Sequence, residues 1–278
     1  KMETHNPLPI FAFGNMRFAR VAENWLIHIL KLRINEFKVF CHDDDLQRFL
    51  AHRFPEHSEK FVFNSETAFE IDPTNLSLYF KFRKVLFRKL LLNHTEYIFS
   101  DLDAIWLSDV RNTFREPGAD MVLQKVVHNF ACPLDIRWKT GYTGCLGLWY
   151  MKKTPELLDF LIQFIEDKEP DDQVSFNRIL FKKEGAKQLP DKKGHVRILF
   201  RGVTFGFADP SNIQRPYYRR HFNSWDRQGV VHPVVKEGTR TIDTLMKFNL
   251  WRPISLRSCF FQILEASYRT QRKVRKLK

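Results

Sequence analysis

Residues 97–106, with the sequence YIFSDLDAIW, combine an apolar run with two carboxylates that are separated by a single residue. The apolar run predicts a buried β-strand, and Asp101 and Asp103 follow at its carboxyl end. Alternate residues of a strand point to the same side, so both carboxylates are expected to converge on one point. Carboxylate oxygens suit a hard divalent cation such as Mg²⁺ or Mn²⁺. The alternative interpretation is a strand end that carries two acidic turn residues.

The segments on either side of this strand alternate between strand and helix patterns. The first half predicts strands at residues 9–15, 37–41, 60–63 and 97–100, with helices at 20–32, 46–53 and 76–92. The second half predicts strands at 120–124, 146–151, 196–200 and 230–232, helices at 154–167 and 172–181, and a long loop at 210–227. This alternation predicts an α/β fold with a mostly parallel central sheet flanked by helices. Ligands of such sheets bind beyond the carboxyl ends of the strands.

The composition is that of a globular chain with an affinity for anions. Of the 278 residues, 44% are hydrophobic, and the formal net charge is +13. This balance favours nucleotides, phosphates, nucleic acid or a membrane surface as partners, without choosing among them. The four cysteines are widely spaced, which predicts buried free thiols and a reducing compartment.

The organisation predicted from the sequence is a single domain over residues 1–268 and a basic tail over 269–278. No apolar run reaches the roughly 20 residues that span a bilayer. We therefore expect a location in the cytoplasm or at the periphery of a membrane; a lumenal, Golgi-type location would need an anchor ahead of Lys1. The basic tail is expected either to attach weakly to anionic lipid head groups or to form a solvated terminus.

Four segments in order resemble nucleotide-diphospho-sugar transferases with the GT-A (Rossmann-like) fold, a group that includes plant xylosyl- and arabinosyltransferases. These segments are residues 99–107, 146–155, 171–177 and 230–251. The resemblance extends roughly over residues 7–251. It departs from the family pattern at Cys145, where an asparagine is usual, so that a polar contact to the sugar is absent or moved to Thr143. It departs again after His232, where Pro233 and Val234 follow, and Arg240 and Thr241 replace lysines.

The resemblance implies a metal site made by Asp101, Asp103 and His232. Asp103 is expected to be the stronger direct ligand, whereas Asp101 either contacts ribose or reaches the metal through water. His232 is expected to be a third ligand or a diphosphate contact, and a neutral imidazole suits Mn²⁺. The alternative for His232 is a histidine in a surface loop.

The residues at the start of the helix predicted at 172–181 are the candidate catalytic group. Asp171, Asp172 and Gln173 lie where the helix dipole stabilises carboxylates in any protein. The resemblance implies that Asp172 is near the donor sugar or the acceptor hydroxyl, and that Gln173 contacts the sugar. A carboxylate here would be the general base of an inverting enzyme or would orient the sugar in a retaining one; the resemblance favours retention.

The remaining candidates are expected to bind the nucleotide or the acceptor. Phe13, Gly14 and Asn15 end the first strand, where the family holds the nucleoside, although an ordinary turn is the alternative. On the long helix before the metal strand, the resemblance favours Lys84 over Arg83. Gly238 and Arg240 are expected near the phosphates, with Lys236 as the alternative cation. Trp138 and Trp225 are the candidate acceptor contacts, while Trp106 and Trp149 are expected in the core.

The function predicted from the sequence is a metal-dependent glycosyltransferase. It would move a sugar from a UDP-sugar to a hydroxyl of a glycan acceptor, with Mn²⁺ or Mg²⁺ as cofactor, xylose as first choice and galactose as second. Nucleic acid is not expected as a partner, because the basic residues form no recognisable binding motif. The alternatives are a basic nucleic-acid-binding protein and a sugar-nucleotide hydrolase or binding protein without transfer.

Overall fold

The computed structural model describes residues 7–63, 76–127, 133–182, 185–192, 195–216, 229–234 and 240–252. Gly238, Lys236, Trp225 and the basic tail lie outside the described residues, as do Cys132 and Cys259. Cys41 and Cys145 are buried free thiols, as predicted. Within the described ranges, no helix has the length and apolar character of a membrane span.

Twelve strands and seven α-helices are formed by the described residues. The strands are β1 (Ile10–Gly14), β2 (Phe37–Cys41), β3 (Phe61–Phe63), β4 (Glu96–Ser100), β5 (Ile105–Trp106), β6 (Met121–Val126), β7 (Thr143–Lys152), β8 (Lys187–Lys192), β9 (His195–Phe200), β10 (Val203–Phe207), β11 (Ile213–Gln214) and β12 (Val230–Val231). The helices are α1 (Ala19–Lys31), α2 (Asp44–Arg53), α3 (Leu76–Asn93), α4 (Leu134–Thr140), α5 (Pro155–Glu166), α6 (Asp172–Lys182) and α7 (Thr241–Lys247).

The main sheet has the strand order β3-β2-β1-β4-β7-β6-β10-β9-β8. Strands β3, β2, β1 and β4 are mutually parallel, as the alternation of strands and helices predicted. Strand β7 runs antiparallel to both β4 and β6, and β6 is parallel to β10. Because β7 reverses direction between them, β4 and β6 end at the same edge of the sheet. The carboxyl ends of β1, β4 and β6 therefore face one region.

Two hydrophobic clusters lie on opposite faces of the main sheet. Along β1, Ile10 and Ala12 point into the first cluster, whereas Phe11 and Phe13 point into the second. This division follows the alternation of side chains along a strand. Helices α1, α2 and α7 contribute to the first cluster, and α3, α5 and α6 contribute to the second. The fold is an α/β sheet covered by helices on both faces, as predicted.

Local signals explain where several helices begin. Thr154 caps α5 by accepting a hydrogen bond from the Leu157 amide, and Pro155 occupies the first helical turn. Asp43 caps α2 in the same way. Trp106 and Trp149 are fully buried, as expected for core residues. The prediction did not include α4, β5, β8 or β10, and the segment predicted as a loop contains β11.

Candidate active site

Asp101, Asp103 and His232 come together beyond the carboxyl end of β4. One potential ligand atom from each lies within 4.8 Å of the others. The His232 Nε2 atom is 3.2 Å from Asp103 Oδ1 and 4.0 Å from Asp101 Oδ2. A small three-stranded sheet with the order β11-β12-β5 creates this meeting, because β12 pairs with β5 and places His232 next to the loop that carries both aspartates. We call these three residues the DDH cluster.

Gly147 provides the space that the DDH cluster occupies. Opposite β6, the register of β7 shifts between Trp149 and Cys145, so that residues 146–148 form a bulge. A Cβ atom on Gly147 would lie 2.0 Å from His232 Cε1 and 2.6 Å from Asp101 Oδ2. The Gly147 carbonyl also accepts the Asp101 amide hydrogen bond at 2.6 Å. Only glycine fits at this position of the bulge.

The three side chains of the DDH cluster interact electrostatically, and the pKa of each is shifted. Burial and the Arg215 guanidinium lower the pKa of His232, but the Asp103 carboxylate outweighs both and raises that pKa to about 9. Burial raises the pKa of Asp101, whereas His232 holds the pKa of Asp103 below its ordinary value despite burial. One imidazolium thus faces two carboxyl groups. Two oxygen ligands and one nitrogen ligand, with no Cβ between them, fit a divalent cation such as Mn²⁺.

Arg83 connects the DDH cluster to the start of α6. Its Nε atom donates to Asp172 Oδ2 at 2.7 Å, and its Nη1 atom donates to Asp101 Oδ1 at 3.0 Å. The Arg83 and Asp172 side chains are 7% and 2% exposed. Burial raises the pKa of Asp172 to about 6, although Arg83 opposes this shift. Sequence reasoning placed Asp172 near this site but missed Arg83 as its partner.

Asp171 and Gln173 take part in the local structure of α6. The Asp171 carboxylate accepts the Val174 amide hydrogen bond at 2.9 Å, which caps the helix. The Gln173 carbonyl accepts a hydrogen bond from Asn177, and Asn177 also bonds the Gly144 backbone of β7. These contacts fix α6 against β7 and so hold Asp172 in place.

A cavity of about 990 Å³ opens beside the DDH cluster. Its wall combines charged groups with aromatic rings, because the end of β1, the start of α3 and the loop after β4 all border it. Phe13 stacks on Phe82 with ring centroids 4.9 Å apart, and the Tyr79 ring lies 5.0 Å from Phe13. The residues that line the cavity include Phe13, Asn15, Tyr79, Arg83, Asp101, Asp103 and Arg240.

The end of β1 borders the cavity as the sequence predicted. The buried Asn15 side chain accepts the Arg17 amide hydrogen bond at 3.1 Å and caps a short 3₁₀ turn. A Cβ atom on Gly14 would lie 2.6 Å from Leu102 Cδ1. Gly14 therefore permits close approach of β1 to the loop between the two aspartates, rather than open space for a ligand.

The structure places the Lys84 side chain against the first turn of α6 and the segment before it. Its ammonium lies 3.2 Å from Ser175 Oγ and 3.4 Å from the Asp167 and Glu169 carbonyl oxygens. Lys84 is not among the described residues that line the cavity, so its placement gives no support to the predicted nucleotide contact. Arg83 occupies the position that faces the carboxylates instead.

The remaining predicted contacts are placed as follows. Arg240 lines the cavity and forms an ion pair with Asp243 at 2.7 Å. Trp138 is 78% exposed on α4, which follows β6 at the ligand-binding edge of the sheet. Thr143 is fully buried in β7. Gly238 and Trp225 lie outside the described residues, so their contacts stay predictions.

Comparison with known proteins identifies the family. Residues 33–238 match the family described as nucleotide-diphospho-sugar transferase, and this match covers more than half of the chain. The chain therefore belongs to the nucleotide-diphospho-sugar transferases, which are glycosyltransferases. The search of curated proteins gives no significant match.

Solved glycosyltransferase structures share the fold at low sequence identity. The galactosyltransferase LgtC, solved with donor and acceptor sugar analogues, is 10% identical with a TM-score of 0.51; the similarity covers 90% of this chain and 98% of LgtC. Mouse xyloside xylosyltransferase 1 is 12% identical with a TM-score of 0.50, and the coverage is 81% and 97%. The bifunctional glycosyltransferase WbbM is 8% identical with a TM-score of 0.55, covering 86% of this chain. The chain spans only 47% of the length of WbbM.

Proposed function

We propose that this protein transfers a sugar from a UDP-sugar to a hydroxyl group of a glycan acceptor, with Mn²⁺ or Mg²⁺ bound by the DDH cluster. The observation that carries the proposal is the convergence of Asp101, Asp103 and His232 beside a cavity at the carboxyl ends of β1 and β4. A divalent cation held there would stabilise the negative charge that collects on the leaving diphosphate. The structural alternative of two acidic turn residues does not account for the buried histidine that meets them.

The cavity wall suits a nucleoside diphosphate. The partly exposed Tyr79 ring, supported by the buried Phe13 ring 5.0 Å away, offers aromatic surface on which a base can stack. Asn15 adds a polar side chain at the end of β1, where it lies close to the sugar of a bound nucleoside in this proposal. Arg240 contributes a positive charge at the cavity wall for the phosphates. This arrangement extends from the base-binding end to the DDH cluster.

The Arg83–Asp172 pair is proposed to hold the donor sugar next to the DDH cluster. Arg83 lines the cavity and has further donors besides the two that it gives to Asp101 and Asp172. Its rigid contacts on both sides set where those donors point. Asp172 thus acts through Arg83, as a positioning residue, in the free protein.

A retaining reaction is proposed because of where the carboxylates lie. An inverting enzyme needs a general base that reaches the acceptor hydroxyl. Among the described residues that line the cavity, the only carboxylates are Asp101 and Asp103, and both belong to the DDH cluster. Asp172 is almost fully buried and is held by Arg83. This distribution favours retention over base-assisted inversion.

Xylose is the first choice of donor sugar and galactose is the second. The family resemblance supports both choices, as do the names of two similar structures, a xylosyltransferase and a galactosyltransferase. The exposed Trp138 ring is proposed to contact a sugar of the acceptor, because it follows β6 at the same edge of the sheet.

The experiment is a thermal-shift screen of UDP-sugars with Mn²⁺, followed by assays of UDP release with and without glycan acceptors. The proposal predicts stabilisation by one UDP-sugar above the others, and release that an acceptor accelerates. An unchanged melting temperature with every nucleotide would contradict the proposal. Release that no acceptor accelerates, with free sugar as the only product, would favour a sugar-nucleotide hydrolase.

A further inference from the structure

We propose that Gln124 is a positioning residue that holds the His232 ring ready to bind a divalent cation through Nε2. The proposal rests on the proposed function, because it assumes that the DDH cluster binds a cation. It adds a residue of β6 that makes no contact with the cation itself. The buried Gln124 amide and the His232 ring make three contacts that fix the ring.

The Gln124 amide group has one fixed orientation. Gln124 is fully buried, and its Nε2 atom donates to the Gln214 carbonyl at 3.1 Å. An amide that donates from its nitrogen on one side must present its oxygen on the other. That oxygen, Oε1, lies 3.0 Å from His232 Nδ1. Because Gln214 belongs to β11, which pairs with β12, the same small sheet positions both His232 and the carbonyl that orients Gln124.

Each nitrogen of the His232 ring therefore faces a defined neighbour. Nδ1 donates its proton to Gln124 Oε1, whereas Nε2 faces Asp103 Oδ1 at 3.2 Å. Once the imidazolium gives up its Nε2 proton, a ring that keeps its proton on Nδ1 presents a lone pair on Nε2 toward the position between the carboxylates. Histidines that bind metals usually donate their other ring N–H to an oxygen acceptor, and loss of that acceptor weakens binding.

Arg215 is the closer of two competing neighbours of the same ring nitrogen, since Cys145 Sγ lies 3.9 Å from it. The Arg215 Nη1 atom lies 2.6 Å from His232 Nδ1, but a guanidinium can only donate. If Arg215 donated to Nδ1, the proton would move to Nε2 and would block cation binding. The buried Gln124 oxygen would then face a lone pair. Gln124 is fixed in the core while Arg215 is only partly buried, so we assign Gln124 as the partner that sets the ring.

The bulge in β7 makes this contact possible. Gln124 pairs with Cys145 at the point where the β6–β7 register shifts. The bulge places Gly147 against His232, so the ring is confined between Gly147 and Gln124. The ring has little room to rotate, and the hydrogen bond then decides which nitrogen carries the proton.

The first test is calorimetric titration of Mn²⁺ into the full chain, compared with Gln124→Met and Gln47→Met. We expect Gln124→Met to weaken binding by about 10-fold to 100-fold. Gln47 is the matched control, because its amide also donates to a backbone carbonyl, that of Phe61, at 2.8 Å. We expect Gln47→Met to leave the affinity unchanged. Gln124→Glu keeps an oxygen acceptor and should recover most of the lost affinity.

The second test determines which nitrogen of the His232 ring carries the proton. In the wild-type chain with Mg²⁺, ¹⁵N NMR should show His232 with its proton on Nδ1, and His232→Gln identifies the resonance. A proton on Nε2 in the Mg²⁺-bound protein would overturn the proposal, even if Gln124→Met does not fold. Arg215→Met should bind Mn²⁺ as tightly as wild type or more tightly, because it removes a nearby positive charge.

The outcomes separate this inference from the proposed function. If the wild-type chain binds neither Mn²⁺ nor Mg²⁺, the cation site itself is contradicted. If wild type binds and Gln124→Met binds equally well, the cation site stands and the role of Gln124 is overturned. Weaker binding in Arg215→Met than in wild type would show that Arg215 does not oppose cation binding, and would overturn the assignment of Gln124 as the partner that sets the ring.

Discussion

Gly147 and His232 are packed so closely that no methyl group fits between them, since a Cβ on Gly147 would lie 2.0 Å from His232 Cε1. We predict that Gly147→Ala displaces the His232 ring from Asp101 and Asp103. The expected result is loss of Mn²⁺ binding by at least about 10-fold, because one of three ligands moves. Calorimetric titration of Mn²⁺ measures this loss.

Gly144 provides the matched control on the same strand. A Cβ on Gly144 would meet its nearest atom, Leu123 Cδ2, at 3.4 Å, which is an ordinary contact. Gly144→Ala should therefore keep the Mn²⁺ affinity of the wild-type protein. Equal affinities for Gly147→Ala and wild type would show that the position of His232 does not determine cation binding.

Because Arg83 and Asp172 form a buried ion pair, we predict that substitutions of the two residues have non-additive effects on the free energy of unfolding. Removing one partner of a buried pair leaves an uncompensated charge and costs about 3–5 kcal/mol. We expect Arg83→Met to lower the free energy of unfolding by that amount. Arg83→Met combined with Asp172→Asn should lose clearly less than the sum of the single changes. Urea unfolding of the four proteins measures the coupling, and additive losses would contradict the pair.

Lys84 and Arg240 test which basic residues contact the nucleotide. The Lys84 ammonium faces Ser175 and two carbonyl oxygens, away from the lining of the cavity. Lys84→Met should therefore leave the affinity for UDP with Mn²⁺ unchanged. Arg240→Met should weaken it by up to about fivefold, and the difference should shrink at high salt. A larger loss in Lys84→Met than in Arg240→Met would contradict this placement.

Because the pKa of the buried His28 is lowered, we predict that the free energy of unfolding depends on pH. Burial lowers its pKa from 6.5 to about 4, and the Leu250 carbonyl only partly opposes this. Below pH 6.5 the unfolded chain takes up a proton that the folded protein does not accept until about pH 4. The stability present above pH 6.5 is therefore lost as the pH falls to 4, by about 3 kcal/mol in total.

The measurement for His28 is urea unfolding at several pH values for wild type, His28→Gln and His52→Gln. The wild-type protein should lose more stability between pH 6.5 and 4 than His28→Gln. His52 is exposed, so His52→Gln should follow the wild-type curve. Parallel curves for wild type and His28→Gln would contradict the buried, neutral state of His28.

The sequence was sufficient to predict much of the fold because its local signals agree with the tertiary structure. The apolar runs of β1 and β4 are buried on both faces, β2 buries Phe37, Val39 and Cys41 on one face, and Thr154 caps its helix by a local hydrogen bond. Strands β5 and β11 have only two residues each, too few to show a period. The antiparallel direction of β7 depends on long-range pairing, which no local pattern of the strand encodes.

Part of the candidate site could also be predicted from the sequence. Convergence of Asp101 and Asp103 was predicted from strand alternation, whereas the structure places both in the turn after β4, which ends at Ser100. His232 came from the family resemblance, and the structure explains its position by the pairing of β12 with β5. Arg83 was a candidate, but Lys84 was favoured over it, and Gln124 was missed, because each lies in an ordinary helix or strand pattern. Their roles arise only from contacts between elements that are distant in sequence.

The most direct test of the central claim is UDP release from UDP-sugars by wild type and Asp103→Asn, each with Mn²⁺ and with a chelator. Asp103→Asn keeps the size of the side chain but removes the negative charge that faces His232. We predict acceptor-stimulated release by wild type with Mn²⁺, loss of release with the chelator, and loss of release in a folded Asp103→Asn protein. Release at the wild-type rate by Asp103→Asn, or release that the chelator leaves unchanged, would contradict the account.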